Sequence, residues 1–392
     1  MSEKRRKLLP VCIMILSLLF PPLSVRAEEE GPAVQVTAPS YVLMEPETGT
    51  VICEKEKDTR RSPASVTKIM TLLLIFDHLE NGSLKLEDTV TTSAHAKSMG
   101  GSQVFLEEGE TQTVETMIKC IVVASGNDAS VAMAEHVAGS EPEFVKQMNE
   151  RAAGLGMKNT HFEDCCGLTD SDNHYTTAYD IALMSRELIN KYPKVLEYSS
   201  IWMENITHVT RQGSKEFGLT NTNRLVRTYD GCVGLKTGST SKAKFCLSAV
   251  AERNGISLIS VVMAAPDSKT RQRDAAALLD YGFARCSLYT DEEPGGLPEL
   301  AVKKGVESTV PLEYEGIFRY LDTEGRQISD ISKKRVLPSE TEAPVQKGEK
   351  AGELVYYRGG EEIGRIGILY GESVKKAKYA DCLEKVLKRL WL

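Results

Sequence analysis

The sequence predicts an α+β protein: an antiparallel sheet with helices packed on it, then a small all-β domain and a terminal amphipathic helix. Three observations predict it. Strand-like runs open and close the first 286 residues, with a helical middle between them. Short alternating strands with turn residues fill the chain after residue 300. The last residues switch to a 3.6 period with charge on one face.

Residues 1–27 stand apart from the fold. Lys4, Arg5, Arg6 and Lys7 make a basic start, an apolar stretch follows, and Val25-Arg26-Ala27 has small residues where a cleavage site needs them. This is the pattern of a secretory signal peptide cut after Ala27. The other reading is an uncleaved membrane anchor; the shortness of the apolar stretch and its break at Pro21-Pro22 speak against it. The protein is therefore expected outside the cytoplasm.

The whole chain carries a net charge of −7, and residues 1–27 carry five bases and one acid, so the mature chain has −7 − 4 = −11. An acidic chain without a basic stripe is a poor nucleic-acid binder, and none is expected as a partner. Nine cysteines become eight after cleavage, with no CxxC pair and no Cys/His spacing that suggests zinc. Cys232 and Cys246 flank a hairpin expected to centre near Ser239. They stand as either a disulfide or two buried thiols.

The elements follow in order. "SYVLMEPETGTVICEKE" (40–56) reads as strand, turn, strand, with Pro46 and Gly49 in the turn. A helix runs from about Ser65 to Leu79 and ends at Asn81-Gly82. Residues 110–160 read as mostly helical. "TTAYDIALMSRELI" (176–189) is a further helix, with Thr177 and Asp180 as a capping box. Beyond residue 217, "CVGLKTG", "KFCLSAVAE" and "ISLISVVMAAP" are strands, and "TRQRDAAALLDYGFARC" closes the region as a helix. These elements place a first domain over 35–286. The Pro- and Gly-bearing acidic stretch 287–300 is expected as a linker and 301–373 as the all-β domain. Residues 375–392 carry six bases and two acids, with Tyr379, Cys382, Leu383, Val386, Leu387 and Leu390 on one helical face. Such a helix lies in a bilayer surface or packs on its own domain, and its net charge of +4 favours the membrane.

The chemistry begins at "PASVTKIMT". Ser-x-x-Lys occurs four times in this chain: Ser65/Lys68, Ser239/Lys242, Ser241/Lys244 and Ser373/Lys376. Only the first opens a long apolar helix, where residues i and i+3 share a face. A serine needs a base to become a nucleophile. A lysine among apolar residues serves, because burial disfavours its charged form. "ASGNDAS" places Ser125 and Asn127 two apart in a tight loop, and "GLKTGST" places Lys236, Thr237 and Gly238 on a strand edge. Each alone is a common sequence with a bland structural explanation. Together, in the order SxxK, SxN, KTG, they match the signature of β-lactamases and penicillin-binding proteins.

On these motifs, with the closing "LLDYGF", the chain resembles the low-molecular-mass penicillin-binding proteins, the serine-type D-alanyl-D-alanine carboxypeptidases of peptidase family S11. The likeness spans roughly residues 35–285, and the β domain with its terminal helix looks like that family's C-terminal part. "CCGLTDSDNHYTTAYD" departs from the family in its cysteines, and Ser239 follows KTG where the residue type varies. The resemblance implies a β-lactamase/transpeptidase-like fold and hydrolysis of a D-Ala-D-Ala end of the peptidoglycan pentapeptide through a Ser65 acyl-enzyme. Lys68 would be the base and Ser125 the proton relay. The N–H groups of Ser65 and Ser239 would form the oxyanion hole. Asn127 would hold the peptide, and Lys236, Thr237 and, less directly, Arg271 its carboxylate, with Gly238 giving room. β-Lactams would acylate Ser65 as covalent inhibitors, the membrane surface would be met through the terminal helix, and no metal or cofactor is needed.

Two other functions stay in view. A secreted β-lactamase shares the three motifs, but the second one here is SGN, and no Glu-x-x-x-Asn occurs between residues 128 and 235. A non-catalytic cell-wall-binding protein would use the same scaffold. A Ser-His-Asp hydrolase has no G-x-S-x-G elbow to support it.

Overall fold

In the computed structural model the described residues are 34–210, 213–326 and 328–381. The expected signal peptide and the end of the terminal helix, from Cys382 on, lie outside them.

The chain enters on β1 (Ser40–Met44), turns at Pro46–Gly49 and returns on β2 (Val51–Lys55). The Glu45 carboxylate closes that turn, accepting from the amides of Glu47 and Thr48 at 2.7 Å each. The helices are α1 (Lys68–Glu80), α2 (Ala94–Lys97), α3 (Val114–Val122), α4 (Asn127–Ala138), α5 (Glu141–Gly154), α6 (Ala178–Lys191), α7 (Lys194–Ser199), α8 (Leu225–Thr228) and α9 (Ser268–Arg285). Short strands β3 (Thr89–Thr91) and β4 (Thr111–Thr113) pair in front of α3, and β5 (Met203–Thr210) pairs with β6 (Gly213–Thr220). Then come β7 (Cys232–Thr240), β8 (Lys244–Arg253) and β9 (Ile256–Ala265).

The main sheet is antiparallel in the order β2-β1-β9-β8-β7, which leaves β7 on an edge. Leu258 through Met263 of β9 are all buried, so both faces of the sheet are covered. α9 covers one: Gly282 sits so close to Leu258 and Leu43 that a Cβ there would meet their methyls at 2.6 and 2.8 Å. α6 covers the other, where the Ser185 and Ser248 hydroxyls meet at 2.9 Å. α1 is apolar all round, with Ile69 through Phe76 buried, because it runs through the middle of the helical layer.

The C-terminal strands are β10 (Ser287–Asp291), β11 (Leu300–Lys303), β12 (Thr309–Val310), β13 (Leu312–Tyr314), β14 (Phe318–Asp322), β15 (Ile331–Val336), β16 (Glu340–Glu342), β17 (Lys350–Arg358) and β18 (Glu361–Tyr370). They form sheets β10-β14, β12-β11-β16 and β13-β18-β17-β15. Phe318 stacks on Tyr356, and the Tyr356 hydroxyl donates to Asp291 at 2.8 Å. Arg319 donates to the Gly255 carbonyl across to the first sheet, at 3.2 Å.

Several expectations change. The expected linker 287–300 begins as strand β10, paired in full with β14. The hairpin of β7 and β8 turns at Ser241–Ala243, not near Ser239, because Thr240 Oγ1 accepts from the Ala243 amide and fixes the turn there, at 3.0 Å. Cys246 therefore faces Gly238, and Cys232 faces Ala251. Six residues of strand, about 20 Å, separate Cys232 from Gly238, far beyond disulfide reach, and both cysteines are free. The Thr177 hydroxyl caps α6, but Asp180 spends its carboxylate on the Asn159 amide and the Thr160 hydroxyl, so the capping box is half a box. Helix 375–392 starts late. Ala377 donates to the Lys304 carbonyl and Lys376 bridges to Gly305, tying the chain to the β domain before helical turns begin at Tyr379.

Candidate active site

Ser65 stands in a 3-10 turn, Ala64–Thr67, that leads directly into α1. Two glycines explain the tight turn. A Cβ on Gly167 would lie 1.9 Å from the Ala64 carbonyl oxygen, and one on Gly238 would lie 2.7 Å from the Pro63 oxygen and 2.9 Å from the amide nitrogens of Ser65 and Val66. The turn is clamped between the loop after α5 and the free edge of β7, and only glycine allows that approach on either side. Gly167 is also at φ +76°, a conformation that favours glycine.

Lys68 sits on the first turn of α1 and is fully buried. Its Nζ lies 3.0 Å from Ser65 Oγ, 2.6 Å from Asn127 Oδ1 and 2.8 Å from the Cys166 carbonyl oxygen. The last two are acceptors only. A neutral amine has two N–H groups and one lone pair, so the two carbonyls take the N–H groups and the lone pair is left facing the Ser65 hydroxyl. Burial pushes the Lys68 ammonium below its ordinary pKa, which favours that neutral form.

Asn127 is set by its own partners. Its amide donates to the Ser102 carbonyl, and its Nδ2 donates to the Gly100 carbonyl at 2.7 Å, so Oδ1 is turned to Lys68. Ser125 precedes it at φ +64°, buried, and its hydroxyl finds no partner among the described residues. A strained residue holding an unpaired buried hydroxyl is a mark of a functional position.

On β7, Lys236 is fully buried and donates only to the Thr237 carbonyl, at 3.1 Å. Burial, with Lys68 and Arg271 nearby, pushes its pKa well down. The Thr237 hydroxyl donates to Thr222 Oγ1 at 2.7 Å. Arg271, from the first turn of α9, reaches the Gly238 and Cys246 carbonyls at 3.3 Å each, and burial lowers its pKa to about 10. In this structure it pins the β7–β8 pair beneath the site. Ser239 follows Gly238 on the edge strand, next to the Ser65 turn.

Four supports were not singled out in the sequence. The Asp164 carboxylate accepts from the amides of Cys166, Leu168 and Thr169 at 2.9, 3.0 and 2.7 Å, and from that of Gly167. That loop aims the Cys166 carbonyl at Lys68. His174 accepts from the Glu163 amide through Nδ1, at 3.0 Å, so its proton is on Nε2 and is donated to Thr67 Oγ1 at 2.9 Å. Burial lowers the His174 pKa and keeps the ring neutral. Thr222 and Gly167 complete the set. The signal available was "EDCCG", an Asp three residues before a Gly, a turn-forming pair.

A serine hydroxyl beside a buried lysine that is pushed toward neutrality, a strained second hydroxyl, and an edge strand carrying Lys236 with Arg271 of α9 beneath it form a constellation suited to acyl transfer at a carboxylate-ended chain. The family of D-alanyl-D-alanine carboxypeptidases matches residues 25–267, more than half of the chain, and the penicillin-binding protein 5 C-terminal domain matches 291–376. This chain belongs to peptidase family S11. It is a serine-type, low-molecular-mass penicillin-binding protein. It is similar to D-alanyl-D-alanine carboxypeptidase DacF of Bacillus subtilis (strain 168), 40% identical over 389 residues that cover 98% of each chain. It is also similar to DacA of Escherichia coli (strain K12), 35% identical over 371 residues, 88% of this chain and 85% of the other. Among solved structures, penicillin binding protein 5 from Haemophilus influenzae superposes with a TM-score of 0.68 at 31% identity, covering 88% of this chain and 99% of that one. The fold is thus that of penicillin-binding protein 5, with its C-terminal all-β domain.

Proposed function

We propose that this S11 enzyme removes the terminal D-alanine from peptidoglycan stem peptides ending in D-Ala-D-Ala, and that the sequence motifs name the residues that do so. The observation that carries the assignment is the buried Lys68 Nζ at 3.0 Å from Ser65 Oγ, its other two contacts being carbonyl acceptors that a neutral amine's two N–H groups satisfy. Ser65 Oγ bonds to the carbonyl carbon of the penultimate D-alanine while its proton passes to Lys68. Ser125 hands that proton to the leaving D-alanine nitrogen as the C–N bond breaks. The N–H groups of Ser65 and Ser239 hold the oxyanion, commonly the largest catalytic contribution. Asn127 holds the donor peptide, and Lys236 and Thr237 take the terminal carboxylate. Arg271 acts through the Gly238 carbonyl. Water then releases the shortened peptide and restores Ser65. A β-lactam acylates the same oxygen because it presents the same carbonyl and carboxylate.

The enzyme is exported by residues 1–27 and rests on the outer face of the cytoplasmic membrane through its terminal helix. The basic amphipathic pattern supports this, and no described helix is long and apolar enough to cross a membrane. Removing residues 379–392, beyond the Ala377 contact with the β domain, is expected to release the protein from membranes with activity kept.

Ser65→Ala is expected to abolish both penicillin labelling and D-alanine release from a D-Ala-D-Ala-ended peptide. Labelling that survives would show a different nucleophile. Rapid penicillin turnover by the wild type would favour a β-lactamase instead.

A further inference from the structure

Beyond the end of β7, the Ser241–Ala243 turn and the residues before Ser65 enclose a cavity of about 540 Å³. Arg60, Arg61 and Lys242 line it against a single carboxylate, Asp172, on a protein that is acidic overall. His174, at its back, is neutral because burial lowers its pKa. Arg60 is held in place, donating to Asn159 Oδ1 at 3.2 and 3.1 Å and stacking on Tyr175 at 4.6 Å. Lys242 donates to the Asp170 carbonyl and to Asp172. Arg61 is different. Its guanidinium, which lines the cavity, makes no hydrogen bond and no ion pair among the described residues. A partly buried cation without a counter-charge is costly unless an anion meets it.

The direction of the substrate points it to this cavity. In the mechanism above, the terminal carboxylate lies at Lys236 and Thr237 and the reacting carbonyl at Ser239. The rest of the peptide must continue along β7 toward Thr240 and the turn that carries Lys242. Ser62, on the cavity wall, is three residues from Ser65, and Lys242 is three from Ser239. Three residues span at most about 11 Å, the reach of two or three extended peptide units.

We propose that this cavity is an anion subsite that takes a free carboxylate carried by the donor peptide on the N-terminal side of its D-Ala-D-Ala end. Arg61 is the principal donor and Lys242 the second. The inference rests on the carboxypeptidase reading and adds to it a preference among stem peptides: an acidic upstream residue over its amide.

The test uses two synthetic pentapeptides ending in D-Ala-D-Ala, one with a free carboxylate on an upstream glutamyl residue and one with the carboxamide, in chloride buffer without phosphate. The wild type is expected to favour the acid by about tenfold in kcat/KM, the size of one charge-assisted hydrogen bond. Arg61→Gln and, separately, Lys242→Gln on the turn are expected to bring the ratio close to one, and Arg61→Lys to retain part of it. The amide peptide is the internal reference in each protein, so a general loss of folded enzyme cancels. A ratio that survives both Gln variants overturns the assignment. Equal D-alanine release from the two peptides by the wild type overturns the subsite and leaves the carboxypeptidase reading standing. Release from neither peptide overturns the reading beneath it. Inhibition by added phosphate that is equal for both peptides would reveal a site for free anions, and would overturn the assignment to the substrate.

Discussion

Gly238→Ala tests the contact between β7 and the Ser65 turn. Its φ is not in the left-handed region, so the substitution adds no backbone strain and acts only by crowding. The new Cβ would lie 2.7 Å from the Pro63 carbonyl oxygen, where an ordinary contact begins at 3.4 Å, so β7 and the Ser65 turn must part by about 0.7 Å. Catalytic groups tolerate about 0.5 Å before function suffers, and a shift near 1 Å costs on the order of a hundredfold in rate. Overpacking of this kind costs roughly 1–3 kcal/mol in stability, or a fall in Tm of roughly 3–10 °C. The enzyme therefore stays folded at 25 °C while acylation falls by about two orders of magnitude. The assay is the second-order rate constant for labelling by a fluorescent penicillin, with a thermal melt on the same sample. Labelling within threefold of wild type, with an unchanged melt, would refute the claim that this edge is pressed against the nucleophile's turn.

Three further outcomes are expected. If Lys68 is the base as proposed, the acylation rate should fall as pH drops through its lowered ionisation, since protonation removes the lone pair that would accept the Ser65 proton; a profile whose only acid limb lies near an ordinary lysine value of about 10.4 would count against it. Gly167→Ala should unfold the site or lower Tm by more than about 10 °C, because its Cβ would meet the Ala64 carbonyl. The matched change Gly139→Ala, at φ +80° with nothing within 4 Å, should cost only the backbone strain of about 1–2 kcal/mol. Asp164→Asn should loosen the 164–169 loop, read as about tenfold faster proteolysis there, and slow acylation as the Cys166 carbonyl leaves Lys68.

The strands and helices that pack the site were legible because their periods are plain. β8 and β9 are near-continuous apolar runs, and α6 and α9 carry polar caps. The hairpin β5–β6 was not, because "ENITHVT" alternates weakly and its strands lie outside the main sheet. The turn of β7 was misplaced for a local reason: Thr240 caps it with its hydroxyl, a contact no periodicity records. Ser65, Lys68, Ser125, Asn127, Lys236, Thr237 and Gly238 were named because three short motifs occurred in order. Their supports were not, because Cys166 works through a backbone carbonyl and His174 through a tautomer. Neither depends on residue type in a way that sequence displays.

The two buried lysines show how one cavity assigns two roles. Both lose their aqueous shell, and both are pushed toward neutrality by burial. Lys68 has two carbonyl acceptors, so as a neutral amine it is fully satisfied and keeps a lone pair for Ser65. Lys236 has one acceptor, with the Arg271 guanidinium and the Lys68 nitrogen close by. Its charge is opposed first by burial and then by these neighbouring bases. An arriving carboxylate reverses this, because an opposite charge within hydrogen-bond reach raises the pKa of an amine. In the proposed mechanism the substrate brings the counter-charge that makes Lys236 an ammonium. That ammonium, next to Lys68, then holds the base neutral when the nucleophile is needed. Binding of the terminal carboxylate and activation of Ser65 become coupled through two nitrogen atoms. A substrate amidated at its C-terminus would lose both, and should show a deficit in acylation rate as well as in affinity.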